Sequence, residues 1–144
     1  MRIDAHQHFW KVSRGDYFWM GPDAPSLCRD YLPADLGPHL AVHGIDRTVV
    51  VQAAPTLAET EFLLELATEH ERIAGVVGWL DLESADFPRT LASLAQHPKL
   101  VGVRPMLQDL PDDGWIGKPS VVAALGALAG SGLACDFLVF ARQQ

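Results

Sequence analysis

Cysteine is nearly absent from this chain. Cys28 and Cys135 are the only two, they lie far apart, and they match no zinc or redox spacing. A disulfide scaffold is therefore not expected, and both should be buried thiols of a cytoplasmic protein. Basic residues are also few. Eleven Lys and Arg against eighteen Asp and Glu leave a formal charge of −7, without any run of Lys or Arg. That argues against nucleic acid or an anionic membrane surface as the main partner. No apolar stretch approaches the length of a membrane span, and no charged segment followed by an apolar one opens the chain. Internal repeats and low-complexity segments are missing too. What remains is a chain of 144 residues, 49% hydrophobic and 20% charged, with enough apolar residues to bury one sizeable core.

The hydrophobic residues come in short runs at fairly even intervals: Ile3 to Ala5, Arg47 to Ala54, Ile73 to Leu80, Leu100 to Arg104 and Leu133 to Phe140. Runs that are apolar on both faces suit strands buried in a parallel sheet. Between them lie amphipathic helix patterns. Pro33 to Val42 is stopped by Gly44, and Glu61 to His70 is capped by Thr56 or Thr60. A third has Ser84 or Asp86 as its cap and Pro88 in its first turn, and closes at His97-Pro98. A fourth, Val121 to Ala129, begins after Lys118-Pro119 or Ser120 and is ended by Gly130 and Gly132. Strand and helix alternate, which predicts right-handed βαβ crossovers. Residues 11–31 form a long Gly- and Pro-containing insertion after the first strand, either an active-site lid or an ordinary surface loop.

A closed barrel of eight such units needs roughly 250 residues, whereas this chain offers five. The expected fold class is α/β, the N-terminal five units of a (β/α)8 TIM barrel, with residues 1–144 as one partial domain. A self-sufficient five-stranded doubly wound sheet is the alternative.

Within the first run, His6 and His8 are two apart, so on a strand both imidazoles point to one side. Two imidazoles aimed at one point are a ready pair of metal ligands or polar substrate contacts. Asp4 precedes them and Phe9-Trp10 follows.

Taken in order, Ile3-Asp4-Ala5-His6-Gln7-His8-Phe9-Trp10, Val50-Val51-Gln52-Ala53-Ala54-Pro55, Gly75-Val76-Val77-Gly78-Trp79-Leu80-Asp81-Leu82, Gly102-Val103-Arg104-Pro105 and Gly132 to Val139 resemble the amidohydrolase superfamily. Within it they resemble the sugar-lactonase branch, whose members open L-fucono-, L-rhamnono- and galactonolactones. The resemblance covers nearly every element of the chain. It implies a (β/α)8 hydrolase that opens a small sugar lactone of the L-fucono-1,5-lactone kind to its aldonic acid.

His6 and His8 then match the pair that either binds a divalent metal, most often zinc, or donates hydrogen bonds to the lactone carbonyl; metal-dependent and metal-independent modes both stay open. Arg104 matches an arginine that touches substrate, with a salt bridge to Asp109 as its alternative. Gln52 could bond a sugar hydroxyl or a loop backbone. Trp10 and Trp115 offer flat faces to a sugar, and Trp79 does so or packs in the core. His39, His43, His70 and His97 sit on or near helix ends and are assigned no chemistry.

The resemblance also implies a later strand bearing a histidine and a last strand bearing an aspartate that acts as general base. No residue of this chain takes their place. Three other expectations follow: inactivity of this polypeptide alone, a non-catalytic half-barrel that pairs its open edges in a homo-oligomer or with a missing C-terminal half, or an amidohydrolase-type decarboxylase or hydratase of a small carboxylic acid.

Overall fold

The β-branched run Thr48 to Val51 cannot relax into a helix without losing side-chain freedom, and it forms the second strand of a parallel sheet. The computed structural model describes residues 1–143. Its strands are β1 (Ile3–Gln7), β2 (Arg47–Val51), β3 (Ile73–Gly78), β4 (Leu100–Val103) and β5 (Ala134–Cys135), and they pair in sequence order, every pair parallel. Helices α1 (Pro33–His43), α2 (Leu57–Glu69), α3 (Phe87–Leu94) and α4 (Pro119–Ser131) fill the crossovers. Sequential order with a helix in each crossover is the arrangement of a barrel wall rather than a doubly wound sheet, whose order reverses at a switch point.

The core lies between the strands and their helices. Val50, Ile73, Val76 and Leu100 meet Leu63, Leu64 and Ala67 of α2. Val103, Leu80 and Leu82 meet Phe87 and Leu91 of α3 and Val121, Ala124 and Leu128 of α4. Thr56 caps α2, accepting from the Glu59 backbone N–H at 3.1 Å. Gly44 (φ 62°) and Gly132 (φ 79°) end α1 and α4 in the left-handed conformation that a Cβ resists.

Several sequence expectations are corrected. Thr60 is no cap: it is buried, and its hydroxyl clips both the N–H (2.7 Å) and the C=O (2.8 Å) of Trp79. Asp86 stands at the start of α3 but its carboxylate pairs with Arg89 instead of the helix N–H groups. Gly130 lies inside α4, since Gly132 is the residue that turns left-handed. The expected fifth strand is cut to Ala134–Cys135. Asp136 still donates to the Val103 carbonyl (3.0 Å), but β4 ends there. The next residues cross to the 107–109 turn instead, where Gln108 N–H donates to the Leu138 carbonyl at 3.0 Å. Cys28 is exposed, its thiol directed at the Gly21 and Ala24 carbonyls. Among the described residues, no helix is long and apolar enough to cross a membrane.

Candidate active site

Every strand of a parallel sheet delivers the residue after its last ladder bond to the same rim. At that rim the structure gathers His6 and His8 from β1, Gln52 and Ala53 after β2, and Arg104 after β4. His6, His8, Trp10, Trp19, Ala53 and Arg104 share the wall of one cavity of about 510 Å³, a size within the range of small-molecule pockets of roughly 300–1,000 Å³.

Three successive carbonyls at the end of β2 each hold one of these side chains. Val51 C=O accepts from His8 Nδ1 at 2.8 Å, Gln52 C=O accepts from Arg104 Nη2, and Ala53 C=O accepts from the Trp19 indole N–H at 2.7 Å. A carbonyl only accepts, so His8 carries its proton on Nδ1 and presents a lone pair at Nε2. Arg104 Nη1 lies 3.4 Å from His6 Nε2. A guanidinium only donates, so His6 Nε2 is an acceptor too. The two Nε2 atoms are 3.3 Å apart and their lone pairs converge.

The His8 imidazole is held below its ordinary pKa, chiefly by burial, with the Arg104 charge and His6 pushing the same way against the Val51 hydrogen bond. It is neutral at neutral pH. Arg104 is 4% exposed, its Nε is buried without a partner, and among the described residues no carboxylate pairs with it. The alternative of an ion pair with Asp109 is not what forms: Asp136 and Asp109 act on Arg104 only from a distance, and burial outweighs both in lowering its pKa. A buried, unpaired guanidinium is costly unless something else accepts its protons.

Two expected substrate contacts lie elsewhere. Gln52 is wholly buried, and its amide donates to the Arg104 carbonyl at 3.2 Å, so it fastens β2 to β4 behind the cavity. Trp115 packs in the α3–α4 core with its indole N–H on Glu83 (2.6 Å), away from the histidines. Trp79, half-buried, lies on that side as well. Trp10 does reach the cavity. Its backbone pairs with Tyr31 in both directions at 3.0 Å, closing the neck of the 11–31 excursion, and its ring meets Trp19 edge to face at 5.3 Å.

Four residues escaped the reading of the sequence. Trp19 stands in the insertion, where no periodicity marks it. Tyr17, Arg14 and Glu59 form the excursion's anchor. Glu59 is wholly buried; it accepts from the Tyr17 hydroxyl at 2.9 Å and the Ala53 backbone N–H at 3.0 Å, with Arg14 Nε 3.5 Å away. Asp16 takes Arg14 (2.7 Å) and the Thr56 hydroxyl (2.9 Å) beside it. Thr56-x-x-Glu59 has the pattern of a capping box, in which Glu59 would turn back to the Thr56 N–H. Instead the carboxylate reaches past it to Ala53 and the insertion, which no local pattern signals.

The amidohydrolase family pattern matches residues 3–144. The chain belongs to the amidohydrolase family. It is 49% identical over 141 residues to L-fucono-1,5-lactonase of Burkholderia ambifaria, matching 98% of this chain and 49% of that protein. The L-fucono-1,5-lactonase of Burkholderia multivorans is 39% identical over 144 residues, matching 99% of this chain and 48% of the relative. A crystal structure of an amidohydrolase from Burkholderia multivorans with bound zinc superposes with a TM-score of 0.92 at 39% identity, covering 99% of this chain and 50% of that one. This amidohydrolase chain therefore spans about half the length of the relatives it matches, and its five β/α units are one part of an incomplete barrel wall.

Proposed function

We propose that these residues are the first part of a lactonase site that opens a sugar lactone of the L-fucono-1,5-lactone kind. The observation that carries this reading is Arg104, a buried cation without a carboxylate partner, set against His6 on the wall of the shared cavity. A lactone oxygen supplies the acceptor that the guanidinium lacks. As hydroxide or water adds to the carbonyl, negative charge grows on that oxygen, and a preorganised guanidinium stabilises it more than it stabilises the ground state. Trp10 and Trp19 give the sugar an apolar wall, and the 11–31 excursion holds that wall in place.

Zinc fits the histidine pair in part. Two nitrogens bound tetrahedrally at ~2.0–2.1 Å from one ion stand ~3.3 Å apart, which is the separation found between the two Nε2 atoms. The Val51 hydrogen bond fixes the His8 tautomer that ligation needs. Among the described residues no group of three or more potential ligands exists, so His6 and His8 would hold such an ion jointly with ligands from outside these residues. When bound, the ion would polarise the carbonyl or acidify a water. The proton acceptor is likewise expected from the part of the relatives that this chain does not match.

A chimera tests the reading: this chain followed by the unmatched C-terminal half of the Burkholderia ambifaria lactonase. We expect the chimera to open L-fucono-1,5-lactone, the 144-residue chain alone to be slower by about 10²–10⁴-fold for want of a general base, and Arg104→Met to silence the chimera. A folded chimera without lactone hydrolysis overturns the reading.

A further inference from the structure

The peptide joining Gln52 to Ala53 lies between two opposite charges. Its carbonyl oxygen accepts from the Arg104 guanidinium, and its N–H donates to the Glu59 carboxylate at 3.0 Å. Both charged groups are buried, and neither touches the other directly. We infer that Glu59 is a positioning residue for Arg104, acting through the Gln52–Ala53 peptide; the functional side of this inference rests on the lactonase reading above.

The chemistry follows from how a peptide unit polarises. An anion on the N–H draws that proton and pushes electron density onto the carbonyl oxygen of the same amide, which then accepts more strongly from the guanidinium. Glu59 thus serves Arg104 as a counter-charge one peptide removed. A carboxylate in direct contact would occupy the guanidinium's donors. Held through a peptide, Arg104 keeps Nη1 toward His6, leaves Nε without a protein partner and remains free to meet a substrate oxygen. The diverted capping box supports this assignment. Helix α2 would be better served by Glu59 turned back onto the Thr56 N–H, yet the side chain is drawn inward and wholly buried.

A merely structural role is the competing account, because the other oxygen of Glu59 holds Tyr17 and through it the excursion. Glu59→Gln separates the two. The amide oxygen can keep the Ala53 N–H and the amide N–H can donate to the Tyr17 hydroxyl, so the contacts persist while the charge goes. Tyr17→Phe does the reverse, loosening the excursion and leaving the Glu59–Ala53 contact.

In the chimera we expect Glu59→Gln to lower kcat on L-fucono-1,5-lactone about tenfold with KM within roughly twofold, because Arg104 is displaced from transition-state charge. Tyr17→Phe should instead raise KM. A Glu59→Gln chimera with unchanged kcat overturns the inference. A second measurement needs no lactonase activity: urea unfolding of the 144-residue chain at about pH 8, as a double-mutant cycle of Glu59→Gln with Arg104→Met. Coupling predicts that Glu59→Gln raises the unfolding midpoint more in the Arg104→Met background than in the wild type. Additive midpoints overturn the inference. If the chimera is inactive but the cycle is coupled, the lactonase reading fails and the positioning contact stands.

Discussion

Gln52 and Arg104 clasp each other reciprocally. The Arg104 guanidinium donates to the Gln52 carbonyl, and the Gln52 amide donates back to the Arg104 carbonyl at 3.2 Å. The pair locks the rim of β2 to the rim of β4 across the intervening strand, and it sets the direction in which Arg104 leaves the sheet.

Truncating one half of that clasp tests what Gln52 is for. Gln52→Ala removes a wholly buried side chain and leaves the Arg104 carbonyl without its donor. The expected cost is about 2–4 kcal/mol, the sum of a small cavity and a lost buried hydrogen bond. Urea unfolding of the 144-residue chain measures it. A cost below about 1 kcal/mol would mean that Gln52 is not a structural fastener and would return it to the list of sugar contacts.

The histidine pair makes a prediction about zinc. Isothermal titration of the chain should show one weak site, and His6→Ala or His8→Ala should each weaken it by about tenfold or more. The sign of the pH dependence follows from the depressed His8 value. Because its folded pKa lies below 6.5, His8 keeps its lone pair at a pH where an ordinary imidazole is half protonated. Binding should therefore survive to lower pH than two free imidazoles would allow. Competition from protons setting in above pH 6.5 would contradict the buried geometry.

Glu59 carries the opposite kind of shift. Burial raises its pKa above 4.5, more than the Ala53 and Tyr17 hydrogen bonds and the nearby Arg14 charge lower it. A raised folded value means that the folded chain binds the proton more tightly than the unfolded chain does. This contribution to stability is fully present below pH 4.5 and is lost as pH rises through the folded value. Glu59→Gln imitates the protonated form, so it should stabilise the chain more at neutral pH than at pH 4.5. Thermal unfolding across that range checks it. A residue kept ionised at a cost in stability is what a functional positioning role requires.

Much of the wall was legible beforehand because parallel strands and their helices announce themselves by continuous β-branched runs and amphipathic periods. Arg47–Val51, Pro33–His43 and the His6/His8 pair all fall in such patterns. What was not legible depends on pairing across the fold. The end of the fifth run is set by where β4 stops, and the Leu133–Phe140 segment alone contains no signal of that. Trp115 and Trp10 look alike in sequence, and only the packing of α3 against α4 takes one into the core and leaves the other at the cavity. The anchor of residues 11–31 is likewise spread over Arg14, Asp16, Tyr17, Thr56 and Glu59, whose contacts join parts of the chain about forty residues apart.

The close contact of β3 with β4 offers a test of the sheet itself that leaves the site untouched. A Cβ on Gly75 would stand 2.7 Å and 2.8 Å from the two γ-methyls of Val101. These distances are too short for carbon atoms, and Gly75 is buried in a strand whose backbone has little room to shift. Gly75→Ala should therefore cost about 1–3 kcal/mol through overpacking. Val101 is 39% exposed, so trimming it to Ala removes the obstacle at a cost of about 1 kcal/mol or less in strand propensity. The double variant Gly75→Ala/Val101→Ala should then be more stable than Gly75→Ala alone, a sign of coupling that distant substitutions do not show. Chemical unfolding of the three variants decides it. If Val101→Ala fails to rescue Gly75→Ala, the register of β3 against β4 is not the one described, and the rim that presents Arg104 beside the histidines would have to be redrawn with it.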